Sequence, residues 1–424
     1  KFEIDYSINE NPKKLNRDLS SNSFSRICRE NILGNNNSRN HEKGSYLFIA
    51  SENCATAIQP LLRWKEKSGH KTRLALLSET GTTNTEIKNY LQTAYETWDI
   101  PPEYVILVGD VSGSFVVPSY YIPGYLSPLN VTDHEYTLLE GEDYFPDILI
   151  GRISIQSLNN LHTVINKIIS YESDPYLSEE WFNKALMITY VEEYWQQFFS
   201  ARETKMAVRE KLLDFTFTEV DTFICPYQFG NDLLADYIDT GYSFLNYRGA
   251  GSPYLWWSGS GSLFNISDVN TLNNGYMLPM VTSITCGGGN FAFFDTPSCF
   301  GETWLITGTP TAPRGAIGFI GPSEHDTKTP FNNALDMGIY QGITREGLFG
   351  CGEMLLRGKM ELYINYPYCH DMDGYNDALD SDQFYFYVYN LLGDPGLAVW
   401  TDIPKELDII FENEFFEGMN FLEV

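Results

Sequence analysis

The sequence predicts an α/β protein: mostly parallel sheets flanked by helices, arranged as two adjacent subdomains. Three observations predict it. Short β-type runs alternate with helical runs from Tyr46 onward, the alternation restarts after residue 180, and the composition builds cores. Of 424 residues, 43% are apolar and 15% aromatic, which sets the chain apart from disordered proteins. That length exceeds what one compact core organises, so more than one unit is expected.

Taken in order, residues 1–44 are polar and rich in Asn and Ser, and read as a leader or the remnant of a pro-segment. The run 46–50 is a strand, and Ile58, Leu61, Leu62 and Trp64 have helical spacing. A strand follows at 73–78, a helix at 84–98 and a strand at 104–110. The next strand is 147–152, and residues 157–172 form an amphipathic helix with apolar positions at 158, 161, 164, 165, 168 and 169. The N-terminal unit therefore covers 45–180 and ends in a linker at 173–180. In the second unit, 181–403, strands are predicted at 184–190, 219–225, 243–247, 280–285, 315–321 and 396–401. Helices are predicted at 201–215, 231–240, 300–308, 346–365 and 383–393. Residues 404–424 begin a further, truncated segment. The chain starts at Lys1 without Met or an apolar signal stretch, so a processed or trimmed form is expected.

Charge and cysteine content narrow the function. With 28 Lys+Arg against 56 Asp+Glu the formal charge is −28, which argues against sequence-independent binding to nucleic acid or anionic lipid. No apolar run approaches the roughly 20 residues of a membrane helix, so no integral membrane segment is expected. Seven cysteines, at 28, 54, 225, 286, 299, 351 and 369, show no zinc spacing, and their odd number leaves at least one thiol unpaired within the chain. The high acidic charge and the abundance of Tyr and Asn lean towards an exported protein.

Reactive groups in such sheets sit beyond the carboxyl ends of the strands. Two ends qualify. SFLNYRGAGS opens into Gly249, Ala250 and Gly251, and PMVTSITCGGGNF ends at Cys286 before Gly287, Gly288 and Gly289. A thiol there faces a cleft, and the glycines admit a substrate backbone and free amide groups for an oxyanion. The competing reading is a buried, inert thiol before a turn. A nucleophile needs a base, usually His. Of the six histidines only His325 lies near a strand tip of the second unit, and it reads as a surface residue.

These motifs resemble the gingipain family of cysteine peptidases, which have a caspase-like fold. The resemblance rests on YVILVGD, VVPSYYIPG, GEDYFPDILIGRIS, IISYE, NYRGAGS, TSITCGGGNF and NLLGDPGLAV, seven stretches in the family's order over roughly 45–403. It implies a caspase-like three-layer α/β sandwich and a cysteine endopeptidase working through a thioester. It assigns the nucleophile to Cys286, a His-orienting carboxylate to Glu192, and the oxyanion hole to the amides of Gly251 and Cys286. The general base of a Gly-His-Gly motif falls at Ala250, whose methyl group accepts no proton, so the chain as written is expected to be nearly inert. A deliberate replacement and a natural pseudoenzyme both explain Ala250, and the intact glycines beside it favour the former.

Within the same resemblance, the alternatives are a sortase-like transpeptidase and a non-catalytic peptide-binding module. Relatives that cleave after Arg or Lys use a carboxylate for which Glu203 stands at a fitting distance along the chain. Arg248 points the other way, towards an acidic side chain or towards neutralising Glu203. Asp371, Asp373 and Asp377, with Asp380 and Asp382, alternate as hard-oxygen ligands for structural Ca²⁺ do; a solvated acidic loop is the competing reading. Asp143 in GEDYFPD is expected to bond a neighbouring loop. Catalysis needs no cofactor, the partner is a protein or peptide, and the protein is expected to be secreted or held at the cell surface.

Overall fold

The structure is a computed structural model that describes residue 27 and residues 44–125, 129–190, 196–258, 261–370 and 381–405, with backbone only at 196–199. In the first half the strands are β1 (Ser45–Ala50), β2 (Thr72–Leu76), β3 (Pro102–Val108), β4 (Tyr120–Ile122), β5 (Asn130–Thr132) and β6 (Leu149–Ile153). The second half begins with β7 (Lys184–Tyr190), β8 (Glu219–Cys225) and β9 (Phe244–Arg248). A small meander follows, β10 (Gly251–Ser252), β11 (Leu255–Trp257) and β12 (Ser262–Asn265), and then β13 (Met280–Ile284). The hairpin β14 (Gly308–Thr309) and β15 (Ala312–Pro313) precedes β16 (Gly318–Pro322) and β17 (Tyr389–Leu392).

Ten strands form one sheet in the order β2-β1-β3-β6-β17-β16-β13-β9-β7-β8. Within each half the neighbours are parallel, and the halves join where β17 runs antiparallel to β16. Alternation along β1 shows the layering. Tyr46 and Phe48 pack with Leu61, Leu161 and Ile165, whereas Leu47 and Ile49 pack with Ile87, Leu91 and Tyr95. Each strand face is thus covered by its own helix, which gives the three-layer caspase-like sandwich. Ile27, from the polar 1–44 stretch, is buried beside Leu149, Leu356 and Phe386.

Local chemistry sets the helix boundaries. Thr83 caps the helix Asn84–Thr97 reciprocally with Glu86, and Ile87, Leu91, Ala94 and Tyr95 form its buried stripe. Ser157 caps Leu158–Ser173 by accepting the Asn160 amide. Predicted and observed elements differ near the C-terminal end of the sheet. The helix expected over 383–393 divides into a helix, Asp382–Val388, and strand β17. Tyr389–Leu392 is buried on both faces between β6 and β16, where a strand shows no alternation to read. The closing strand expected at 396–401 is no strand; among the described residues only Ala398 makes a bridge, to Gly350.

The helix Thr329–Gln341 went unpredicted because Pro330 reads as a breaker, although its missing N–H costs nothing in a first turn. This helix also carries Asp336, whose carboxylate meets the Lys205 ammonium and accepts from Asn246 Nδ2 at 3.0 Å, all fully buried beneath β9. Removing one partner of such a pair strands the other charge. Asp336→Ala is therefore expected to lower unfolding stability by about 3–5 kcal/mol in a denaturant titration.

Candidate active site

The site is a matter of register. β9 and β13 are paired in parallel up to Arg248 opposite Ile284, so two residues further on Ala250 stands level with Cys286. β13 and β16 pair in parallel at Thr282 and Ile320, and beyond that ladder the glycine loop turns back along the end of β16, with Gly287 beside Glu324 and Gly289 beside Pro322. Contacts beyond the ladder hold this alignment. Thr285 Oγ1 donates to the Gly249 carbonyl at 2.7 Å, and a Cβ on Gly251 would lie 2.5 Å from Thr285 Oγ1 and 3.3 Å from the Cys286 carbonyl. On the other flank Gly287 N–H donates to the Glu324 carbonyl at 2.7 Å and Gly289 N–H to that of Pro322 at 2.8 Å. The two tips expected to share a cleft therefore do stand side by side.

Those last two bonds correct the expectation that the glycine amides are free. Gly287 and Gly289 serve the close approach of the β16 strand instead, since a Cβ on Gly289 would fall 2.2 Å from the Gly321 carbonyl oxygen. Gly287 also has φ +65°, a left-handed conformation that glycine adopts without strain. The backbone at Ala250 is fixed independently of its side chain, because its carbonyl accepts from Tyr247 Oη at 2.6 Å and from Trp257 N–H at 3.0 Å.

Cys286 is half-buried and free. Its sulfur lies 3.6 Å from Thr327 Oγ1, which donates to the Thr285 carbonyl at 2.9 Å and accepts from Asn332 Nδ2 at 2.7 Å. Burial pushes the thiol up, opposed by its bonds to Thr327 and by the positive field of Arg248. Arg248 itself is buried under the tip. It donates to Asn333 Oδ1 at 3.0 Å and to the carbonyls of Ile284 and Thr329, both at 3.4 Å. It does not neutralise Glu203, which is exposed and ion-paired with Arg202 at 3.5 Å. Among the described residues the other buried arginines, Arg152 and Arg357, both have carboxylate partners, whereas Arg248 has three neutral acceptors.

Sequence reasoning undervalued His325. Its ring is half-buried rather than on the open surface, and its Cδ2 and Pro253 Cδ lie 3.1 and 2.9 Å from the point that a Gly287 Cβ would occupy. The signal available was its position four residues beyond the predicted strand 315–321. Glu192 lies outside the described residues, as do Asp371, Asp373, Asp377 and Asp380. Asp382, the last of that acidic run, turns inward to His370 Nδ1 at 2.8 Å and Tyr144 Oη at 3.3 Å. Among the described residues no group of three or more His, Cys, Asp or Glu is placed to hold a metal ion. Asp143 bonds within its own turn, accepting Phe145 N–H at 2.9 Å, rather than reaching a neighbouring loop.

Beside the Cys286 loop lies a groove of about 660 Å³ lined by Asp110, Tyr121, Gln156, Phe291, Phe294 and Glu302. Phe294 is 91% exposed. Behind the groove Glu302 accepts from Ser154 Oγ and from Cys299 N–H at 2.6 Å. Burial, helped by the charge of Asp110, pushes its carboxyl up to about 8.

The fold and this tip define the class: a caspase-like α/β protein with a cysteine-peptidase type of centre. Residues 39–400 match the model described as Peptidase family C25, and the chain belongs to that family. It is 23% identical to gingipain R2 of Porphyromonas gingivalis over 386 residues, 87% of this chain and 47% of the relative. With a Lys-gingipain of the same organism it shares 29% over 389 residues, 85% of this chain and 21% of that protein. The chain thus spans about half or less of the length of these curated relatives. The crystal structure of the Arg-specific cysteine proteinase gingipain R superposes with a TM-score of 0.77 at 22% identity, covering 89% of this chain and 83% of that one. A complex of the pro- and mature domains of a P. gingivalis gingipain superposes at 0.74. Among the described residues no helix is long and apolar enough to cross a membrane.

Two outcomes follow from this geometry. In the folded chain iodoacetamide is expected to modify Cys286 and Cys369 among the described cysteines, because Cys54, Cys225, Cys299 and Cys351 are buried; peptide mass spectrometry reads this directly. Glu302 holds its proton more tightly folded than unfolded, so its contribution is complete at low pH and lost as pH rises through about 8. Glu302→Gln is expected to flatten the fall in stability between about pH 5 and 8, by on the order of 1–3 kcal/mol in denaturant titrations.

Proposed function

We propose that this chain is the protease unit of a secreted or cell-surface cysteine endopeptidase of the gingipain type, in a form whose general base is missing. One observation carries the reading: Ala250 and Cys286 stand level on adjacent parallel tips, where a histidine and a thiol would face each other. With histidine at 250, the imidazole takes the Cys286 proton and the thiolate attacks the scissile carbonyl. The developing oxyanion is held by the Gly251 and Cys286 amides. The imidazolium then protonates the leaving amine, and water hydrolyses the thioester. Glu192 would orient that imidazole. Replacement by methyl removes general-base assistance worth roughly 10²–10⁴ in rate.

Protein or peptide is the proposed substrate. Thiol chemistry of this kind needs no cofactor. Structural Ca²⁺ at Asp371, Asp373 and Asp377 is proposed from ligand spacing alone, and no step runs through it. Ala250→His is expected to cleave peptides and to label at Cys286 with a thiol-directed electrophile, and Cys286→Ala in that background to abolish both. A restored protein that neither cuts nor labels would instead identify a non-catalytic peptide-binding module. Transfer of the acyl group to an added amine, seen by product analysis, would identify a transpeptidase.

A further inference from the structure

We propose that Arg248 selects an acidic side chain before the scissile bond, holding its carboxylate in the fork of a guanidinium that has no anion of its own. This rests on the reading of Cys286 as a peptidase nucleophile and adds the substrate class to it. Arg248 ends β9 opposite Ile284, and Cys286 lies two residues beyond Ile284. Two residues along a strand and one strand across place the two Cα atoms about 8 Å apart. The guanidinium is bonded into the wall behind the sulfur. Its terminal nitrogens donate to the carbonyl of Ile284 and to that of Thr329, two residues after Thr327, whose hydroxyl lies 3.6 Å from the sulfur. A side chain borne by the carbonyl that this sulfur attacks is within reach of the fork.

Charge balance carries the assignment. Among the described residues, Lys65, Lys205, Arg152 and Arg357 are buried against carboxylates. Lys167, Lys359 and Arg248 are buried against neutral acceptors. The two lysines meet burial by yielding their protons more readily: it pushes Lys167 well below the usual lysine range and Lys359 down to about 7. A guanidinium has no such escape, because it stays protonated. Among the described residues Arg248 is thus the buried cation that keeps its charge and lacks an anion. Asp326, whose charge also reaches the sulfur, forms no ion pair with it, and Glu203 is taken by Arg202. The Arg248 Nε–H goes to Asn333 at 3.0 Å, and one N–H of each terminal nitrogen goes to a carbonyl at 3.4 Å. Among the described residues nothing bonds the second N–H of either terminal nitrogen, the two atoms that grip a carboxylate side by side.

Arg248 is only 4% exposed, so a carboxylate paired with it is withdrawn from water. That is the setting in which a charged pair discriminates most. Asp or Glu supplies the missing anion. Asn or Gln has nearly the same shape and leaves the cation uncompensated, and Lys or Arg adds a like charge. The fork is held in place from three elements. Asn333, on the helix Thr329–Gln341, orients Nε, and its own Nδ2 donates to Ser200 Oγ at 3.0 Å on the helix Gln196–Leu213. The sheet contributes the Ile284 carbonyl. Recognition makes and breaks no covalent bond, and the thioester chemistry proceeds as already described.

The test uses the chain as it stands, with Ala250 in place. Cys286 is labelled with peptidyl chloromethyl ketones that differ only in their last residue, Asp, Asn or Lys, and modification is followed by peptide mass spectrometry. The Asp reagent is expected to label about 30-fold faster than the Asn reagent, and the Lys reagent to be slowest. Arg248→Gln is expected to bring the Asp and Asn rates together, and Arg248→Lys to keep part of the preference. The ratio of the two rates cancels any general effect of Arg248 on the thiol. Equal Asp and Asn rates in the unsubstituted chain overturn the proposal without any variant having to fold, and so does a ratio that Arg248→Gln leaves unchanged. The peptidase reading is tested separately, by exposing Ala250→His to a mixed peptide library. Cleavage after Lys, Arg or an apolar residue would leave that reading standing while this one fails. A restored protein that cuts nothing, yet keeps the Asp preference in labelling, would leave acid recognition standing while the peptidase reading fails.

Discussion

The site depends on one constraint, that parallel neighbours in a sheet end at the same edge. Strands β9, β13 and β16 are adjacent, and the β9–β13 pairing fixes an offset that continues past its last ladder bond, where Thr285 reaches the Gly249 carbonyl. Side chains at the tips are then brought within a few ångströms of one another by backbone hydrogen bonds laid down far from the chemistry, at the spacing of neighbouring strands, about 4.8 Å. A one-residue slip would turn each tip side chain to the other face. The buried polar groups under the edge oppose such a slip. Asn246 of β9 reaches Asp336, and Thr282 of β13 lies 2.9 Å from Tyr340 Oη on the same helix, Thr329–Gln341.

That helix joins the electrostatics to the geometry. It supplies Asp336 to neutralise Lys205, and Asn333 and the Thr329 carbonyl to Arg248. A guanidinium without a carboxylate is an uncommon choice for a buried position, because the desolvation of a cation is ordinarily offset by an anion. Here the free positive field falls on the sulfur of Cys286. Among the described residues no carboxylate pairs with this cation, and a thiolate at 286 would lie in its field. Burial of the thiol and the field of the arginine act in opposite directions, so the reactivity of the sulfur is set by whichever group removes its proton.

Much of this was legible in the sequence because parallel sheets punctuate themselves: apolar runs, then glycines, at Gly249–Gly251 and Gly287–Gly289. The two tips were readable as functional from that pattern, and their family from seven stretches in order. What escaped reading was tertiary. Thr329–Gln341 starts with a proline, and its interior Gly338 is there because a side chain would strike the Arg357 carbonyl at 3.0 Å, which no local propensity reveals. Tyr389–Leu392 continues the aromatic run of the helix before it and becomes a strand because it fills the seam between the halves. Arg248 looked like a specificity residue beside Glu203, yet Glu203 lies on an exposed helix face and pairs with its own neighbour.

His325 was hard to assign for a related reason. Its half-buried place comes from the bond of the Gly287 amide to the Glu324 carbonyl and from a glycine that leaves room for its ring. Ala250 presents the opposite case. Its carbonyl is gripped by Tyr247 and Trp257, so the tip keeps its shape whichever side chain it bears. Backbone organisation and proton-transfer chemistry are therefore separable at this edge. A change of side chain at 250 therefore leaves the thiol loop in place. At this edge the backbone is held by Tyr247, Trp257 and Thr285, so the position of the thiol loop does not depend on the side chain at 250.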